Sequence, residues 1–130
     1  MNKILVEVSV GELLDKISIL EIKKEKIKDT EKLEFINLEY NLLNDESKKH
    51  IKYDKTLKNL FESLKKINAE LWIIEDDKRM CEKNLDFGEK FISLSREVHF
   101  LNDKRSKIKL EINNYTGSKI KEIKQYTNYW

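Results

Sequence analysis

One arginine of this chain stands where the sequence pattern calls for an apolar side chain. Arg105 lies between Leu101 and Ile108 in a run of apolar residues that recur every three or four positions. A guanidinium buried in such a run is strongly destabilising unless it is paired, so we expect Arg105 to have a polar or charged partner. Lys78 interrupts a second run of this kind, but it lies near the end of its predicted helix, where its ammonium can extend into water.

Polar residues on neighbouring helix faces are candidates for that partner. In the third predicted helix, positions from Asn68 to Glu82 recur at alternating intervals of four and three residues, which places them on one face. In the fourth, Asn102 lies one turn before Arg105. The first helix adds Asp15, Lys16 and Glu21, and Glu21 interrupts an apolar stretch. We therefore predict a polar network that joins three helices through Glu21, Glu75, Arg79, Asn102 and Arg105.

Three kinds of chemistry fit this network. A buried ion pair would fix the register of a helical bundle and bind nothing, and the residues favour this interpretation. Arginines lining a pocket would instead suit phosphate or carboxylate groups. Acid–base catalysis by Glu21 or Glu75 is the third interpretation, so whether the protein is an enzyme is left open and no catalytic residue is assigned.

Metal and cofactor chemistry find little support in the residue types. His50 and His99 are far apart, Cys81 is the single cysteine, and no glycine-rich phosphate loop is present. Acidic pairs such as Glu75-Asp76 have a spacing that could hold magnesium, but a chain with 24 acidic residues contains such pairs by chance. We expect no metal and no cofactor.

Composition points to a helical bundle. The 130 residues are 38% charged and include three glycines and no proline, which disfavours turn-rich β-sandwiches and barrels. We predict an all-α fold of about four helices in one domain over residues 1–130, with residues 118–130 as a candidate mobile tail that carries Tyr126, Tyr129 and Trp130. A net charge of +2 selects neither nucleic acid nor membrane as a partner. One cysteine and no apolar run of about 20 residues indicate the cytoplasm.

Capping residues and periodicity place the helices. A short extended segment at residues 3–8 leads to a capping box from Ser9 to Glu12, which opens a helix to about residue 28. A second helix over residues 31–44 is predicted to bury Leu38, and the polar stretch 44–49 is predicted to be a loop or a helix distortion. Gly117 is predicted to end the last helix.

The third and fourth helices give the strongest pattern. Their apolar residues are spaced three and four apart throughout, as in a coiled-coil seam. In an antiparallel pair of helices, the two residue numbers of each facing pair add to the same sum. The apolar residues of these two helices obey this rule from the pair Cys81 and Phe91 to the pair Leu57 and Tyr115. The midpoint is Asp86, which is also the predicted cap of the fourth helix, so we predict a long helical hairpin.

Several segments resemble one family. Residues 8–23 resemble the opening signature of the uncharacterised bacterial domain-of-unknown-function family 6165, and residues 68–76, 86–88 and 102–105 match it further. The resemblance covers nearly the whole chain to about residue 115. It implies a small helical cytoplasmic protein, encoded near glycosyltransferase-type genes and so linked to surface-glycan biosynthesis. Its polar signature implies the candidate ligand-binding residues Glu21, Trp72, Glu75, Arg79, Asn102 and Arg105.

Two enzyme families are similar over shorter stretches. The sequence from Glu12 to Asp15 resembles one half of the paired acidic motif of all-α nucleotide pyrophosphohydrolases, but the companion motif should precede it and does not. The first helix also resembles that of helical chorismate mutases, although Lys16 is the basic residue nearest to the place where those enzymes carry an arginine.

These observations lead to one functional expectation and one alternative. We expect a cytoplasmic helical accessory or protein-interaction module with a polar site between helices, whose partner is another protein or a second copy. The alternative is a small enzyme or binding protein for an anionic metabolite such as a nucleotide, sugar phosphate or dicarboxylate. We expect neither a membrane nor a nucleic acid as partner.

Overall fold

Four α-helices make up the fold. The computed structural model describes residues 2–125, which contain α1 (Val10–Lys26), α2 (Thr30–His50), α3 (Lys55–Lys83) and α4 (Glu89–Thr116) and no β-strand. α3 and α4 form a long antiparallel hairpin, and α1 packs on both of them. α2 packs on α1 alone among the helices. The predicted all-α bundle with its hairpin is therefore confirmed.

Short polar side chains begin three of the helices. The side chains of Ser9, Asp29 and Asp54 accept hydrogen bonds from backbone N–H groups three residues further on, at 2.8–3.0 Å. Gly117, with φ of 70°, ends α4 in the left-handed conformation that glycine adopts without strain. The predicted start of α1 at Ser9 and the predicted end of α4 at Gly117 are both confirmed.

Two predicted boundaries are wrong. α2 runs through residues 44–49 without a break, because the buried Ser47 hydroxyl hydrogen-bonds to that of Tyr53, while the exposed Glu46 carboxylate pairs with Lys49 at 3.3 Å. α4 begins at Glu89 with Gly88 as its N-cap, and the predicted cap Asp86 instead accepts a hydrogen bond from the Gly88 N–H at 3.2 Å. The turn between α3 and α4 nevertheless falls where the facing-residue rule placed it.

The core lies at the base of the hairpin, beneath α1. Its fully buried members come from α1, α3 and α4: Leu14, Ile17, Leu57, Leu64 and Ile112. Partly buried residues of α2, including Tyr40 and Leu43, pack against this cluster. Leu38, which was predicted to be buried, points the other way and is 60% exposed.

The segment after α4 is not helical as far as it is described. Residues 118–125 form neither helix nor strand. The predicted aromatic end of the tail, at Tyr126, Tyr129 and Trp130, lies outside the described residues. A single domain over residues 1–130 stays a prediction. Within residues 2–125, no helix combines the length and the apolar character needed to cross a membrane.

Candidate functional site

The partner of Arg105 is Asp15 of α1. Arg105 Nε donates to Asp15 Oδ1 at 2.9 Å, and its terminal nitrogen NH2 donates to Asp15 Oδ2 at 2.5 Å. This two-point contact with Asp15, which is only 2% exposed, raises the pKa of the Arg105 guanidinium. The prediction that Arg105 needs a partner is confirmed, but that partner is neither Glu21 nor Glu75.

Asn68 and Ser18 complete the contacts of Asp15. The Asn68 amide Nδ2 donates to Asp15 Oδ1 at 2.9 Å and to Ser18 Oγ at 2.8 Å. Ser18 in turn donates to the backbone carbonyl of Asp15 at 2.7 Å. One buried carboxylate therefore joins α1, α3 and α4, and we call these four residues, Asp15, Ser18, Asn68 and Arg105, the Asp15 network.

Lys109 is a buried cation beside the Asp15 network. Its Nζ lies 2.9 Å from Glu12 Oε2, 2.6 Å from Glu122 Oε2 and 3.9 Å from Asp15 Oδ2. Burial lowers the pKa of Lys109, but the hydrogen bonds to Glu12 and Glu122 and the charge of Asp15 outweigh it, so that the pKa is raised. A polar cavity of about 240 Å³ lies beside these groups and is lined by Glu12, Asn102, Arg105, Ser106, Lys109, Glu122 and Lys124.

A glycine lets α1 approach α4 closely enough for these contacts. The Gly11 N–H donates to Asn113 Oδ1 at 2.7 Å. A Cβ atom at position 11 would lie 2.6 Å from the Lys109 carbonyl oxygen and 2.9 Å from Asn113 Oδ1. The side chain of Asn113 is fully buried, and its Nδ2 has no hydrogen-bond partner among the described residues.

An open groove lies between α1 and α3. It has a volume of about 400 Å³, and Ile22 and Leu71 are buried beneath it while Trp72 is half-buried. Charged residues of the same face of α3 are exposed along its rim. We call it the α1–α3 groove, and its lining residues are Ile19, Ile22, Asn68, Leu71, Trp72, Glu75, Asp76, Arg79 and Arg105.

The groove brings together four of the six candidate ligand-binding residues, namely Trp72, Glu75, Arg79 and Arg105. Among the described residues, neither Glu75 nor Arg79 has an ion pair, so the predicted network does not run through them. Asn102 faces the smaller polar cavity and accepts a long, 3.5 Å hydrogen bond from Arg105.

The sixth candidate, Glu21, lies elsewhere. Its carboxylate pairs with Lys65 at 3.1 Å, and the same ammonium contacts Glu25 at 3.0 Å. Burial lowers the pKa of Lys65, and the hydrogen bonds to the two glutamates outweigh that effect, so the pKa is raised. Glu21 therefore ties α1 to α3 outside the groove.

Asp15 was among the candidate partners from the first helix but was left out of the predicted polar network, of which it is the centre. One signal in the sequence could have found it, because Gly11, Asp15, Ser18 and Ile22 follow helical spacing along one face of α1. Small residues on such a face allow a neighbouring helix to come close, and an acid among them then lies within reach of that helix. All four of these residues are buried.

The described residues combine paired, buried charges with an open groove. Within residues 2–125, no three histidine, cysteine or acidic side chains come together in a way that could hold a metal ion. The groove is apolar at its base and charged at its edge, while the most buried charges are already paired with one another.

The comparisons with known proteins give one match. No curated protein and no solved structure matches this chain. A family model described as a family of unknown function, DUF6165, matches residues 4–129, a range that includes the Asp15 network and the whole α1–α3 groove. The chain therefore belongs to DUF6165, a family of unknown function.

Proposed function

We propose that this protein is a protein-interaction module and that the α1–α3 groove is its docking surface. The observation that carries the proposal is the half-buried Trp72 in an open, apolar groove with charged residues on its rim. Binding energy at protein interfaces concentrates in tryptophan, tyrosine and arginine side chains near the centre, surrounded by polar residues. Trp72 and Arg79 supply two of these three residue types.

The charges of the groove favour a protein partner over an anionic metabolite. Arg105 is already neutralised by Asp15. Arg79 shares the rim with Glu75 and Asp76, which precede it by about one helical turn. A phosphate or a dicarboxylate would meet these carboxylates as well as the arginine, whereas a peptide with side chains of both signs could pair with each of them.

The Asp15 network supports docking by holding the groove in shape. Asp15 of α1, Asn68 of α3 and Arg105 of α4 are joined by hydrogen bonds of 2.5–2.9 Å. A surface that is already in its binding conformation loses less entropy when a partner binds. The buried ion pair therefore serves as a support for the groove.

Photo-crosslinking in the organism that makes the protein tests the proposal. A photoreactive phenylalanine derivative replaces Glu75 on the rim of the groove or, as the matched control, Lys66 on the opposite, exposed face of α3. We expect a discrete adduct from position 75 and none from position 66. The adduct should be lost in Trp72→Ser and retained in Ile73→Ser, which removes an exposed apolar residue outside the groove.

Two results would contradict the proposal. Equal adducts from positions 75 and 66 would mean that the groove has no special role. A thermal shift of the purified protein with nucleotides, sugar nucleotides or dicarboxylates, abolished by Arg79→Gln, would instead make the groove a ligand pocket.

A further inference from the structure

A second surface of the molecule is apolar and exposed. On α2, Phe35, Leu38 and Leu42 are 70%, 60% and 59% exposed and lie on one side of the helix. Tyr40 and Leu43, which pack towards the core, lie on the other side. Because α2 packs on α1 alone, no other helix of the described chain covers these three residues. We call them, with the acidic residues that flank them, the outer face of α2.

Acidic residues surround this apolar triplet. Glu31 and Glu34 precede it, Asp45 and Glu46 follow it, and all four are exposed. Over Thr30–His50 the helix carries five acidic residues and three lysines, Lys32, Lys48 and Lys49, and Lys49 pairs with Glu46 at 3.3 Å. The acidic residues still outnumber the lysines of this helix, so a surface that covers the triplet is favoured when it is apolar along its centre and positive at its edges.

We propose that the outer face of α2 binds a basic amphipathic helix of a partner protein. Phe35, Leu38 and Leu42 are spaced three and four residues apart, which is the spacing with which one helix packs along another. Lysines or arginines beside the apolar stripe of the partner would pair with Glu31, Glu34 and Asp45. A second copy of α2 would bring five acidic residues from each helix together with only three lysines from each to offset them, so charge favours a different, basic chain.

This surface is separate from the α1–α3 groove, and the inference does not rest on the proposed function. None of the residues that line the groove belongs to α2. A protein with both surfaces would hold two partners at once, as an adaptor does. The test below measures binding at α2 alone, so its result is independent of the crosslinking experiment.

Titration of the full chain, labelled with ¹⁵N, with two synthetic helical peptides tests the inference. Both peptides have about 21 residues with leucine at the seam positions, and they differ only in carrying lysine or glutamate at the flanking positions. We expect the affinity of the lysine peptide to be at least about tenfold higher than that of the glutamate peptide. The amide shift changes should be centred on residues 31–46. Raising the salt from about 50 to 300 mM should reduce this preference, because the flanking charges are exposed.

Matched variants locate the contact. The double variant Leu38→Ser, Leu42→Ser should lose about tenfold or more in affinity for the lysine peptide. Phe87→Ser, which removes an apolar residue that is 50% exposed in the turn between α3 and α4, should lose none. The charge reversal Glu31→Lys, Glu34→Lys should shift the preference towards the glutamate peptide.

Three results would overturn the inference. These are no binding of the lysine peptide, equal binding of both peptides, and shift changes centred outside α2. Sedimentation showing a dimer that Leu38→Ser disrupts would overturn it in a different way, by assigning the face to a second copy of the chain.

Discussion

The two-point contact between Arg105 and Asp15 shows how a single buried charge constrains a small bundle. Asp15 is 2% exposed and receives hydrogen bonds from Arg105 and Asn68. Burying such a pair adds little net stability compared with two well-packed apolar residues, whereas removing one partner leaves a charge without compensation. The pair therefore specifies which face of α1 meets the hairpin more than it stabilises the fold.

Replacing Arg105 tests this view of the pair. We expect Arg105→Met to lower the free energy of unfolding by about 3 kcal/mol, since Asp15 keeps its burial and loses its main partner. Adding Asp15→Leu to that variant should restore most of the loss. Urea unfolding of the two single variants and the double variant measures the coupling between the residues.

An exposed arginine of the same helix serves as the control. Arg96→Met should change the free energy of unfolding by less than about 0.5 kcal/mol, because Arg96 is exposed. If Arg105→Met leaves stability unchanged or raises it, Arg105 does not anchor the network.

At the residue scale the sequence predicts the need for a partner but not its identity. Arg105 breaks an apolar pattern, and that alone predicts a compensating group. Glu12, Asp15 and Glu21 are all carboxylates of α1. The small residues Gly11 and Ser18 point to Asp15, but the apolar periodicity of α1 alone does not say which of the three faces α4. That choice depends on how α1 crosses the hairpin, which the contacts of Gly11 with α4 set in three dimensions.

At the scale of the elements, Gly11 is a point of close approach between α1 and α4. Glycine inside a helix is less favourable than alanine by about 1 kcal/mol, so Gly11→Ala would stabilise an isolated α1. In the protein, the new Cβ would lie 2.6 Å from the Lys109 carbonyl oxygen, which belongs to backbone and cannot rotate away. We expect Gly11→Ala to lower the free energy of unfolding by about 2 kcal/mol in urea denaturation.

Gly88→Ala provides the comparison for that prediction. A Cβ atom at position 88 would meet nothing nearer than Asp86 Oδ1 at 3.5 Å. The change should therefore cost no more than about 1 kcal/mol, from the weaker helix cap. If both variants lower the free energy of unfolding equally, the close approach at Gly11 does not add to the cost of the substitution.

The segment after α4 is held by a contact that depends on pH. The hydrogen bond from Lys109 keeps the pKa of Glu122 below its ordinary value of 4.5. A carboxyl with a lowered pKa contributes stability above its unfolded-state pKa and loses that contribution as the pH falls through the lower, folded-state value. We expect Glu122→Gln to lower the free energy of unfolding at pH 7 by about 1 kcal/mol, because the ion pair is partly exposed.

Acid should remove this difference. As the pH falls below 4.5 and through the lowered pKa, the Glu122 carboxyl of the wild-type protein is progressively protonated, so its urea unfolding curve should approach that of Glu122→Gln. Glu111→Gln, at an exposed position of α4, should follow the wild-type protein at both pH values. A gap between wild type and Glu122→Gln that persists in acid would contradict a charge-dependent contact.

The helices themselves were largely predictable, and the reason is local. α3 and α4 repeat their apolar spacing over 29 and 28 residues, so many positions support one register. α2 was harder to predict, because its polar end at residues 44–49 resembles a loop in sequence. The hydrogen bond between Ser47 and Tyr53, which no periodicity shows, closes that end of the helix against the following segment.

At the scale of the whole molecule, α1 supports the base of the α3–α4 hairpin more than its turn end. α3 is about 43 Å long, but the hydrogen bonds and ion pairs from α1 reach it only at Lys65 and Asn68. Residues 82–90, at the turn, are all exposed. We therefore expect the turn end of the hairpin to open locally more readily than the base, where α1 packs on the core.

The reaction rate of the Cys81 thiol measures that opening. Cys81 is 4% exposed and is the single cysteine of the chain. Under native conditions, we expect its reaction with a thiol reagent to indicate an opening free energy at least about 2 kcal/mol below that of global unfolding. Leu64→Cys in a Cys81→Ala background places the thiol in the core instead, and there the two free energies should agree. Agreement at both positions would mean that the hairpin opens only as a whole.

The start of α1 and the end of α4 are neighbours. The backbone N–H of Val10 donates to the Ser118 hydroxyl at 3.3 Å, and that of Gly11 donates to Asn113, about a hundred residues away in the chain. The chain thus passes through all four helices in order and returns, at residue 118, to the start of α1. Joining residue 118 to residue 9 and opening the turn at residues 84–88 would give a circular permutant with the same helix neighbours. The most distant contact in the sequence would then become one of the most local, so the order of folding could change while the folded structure did not.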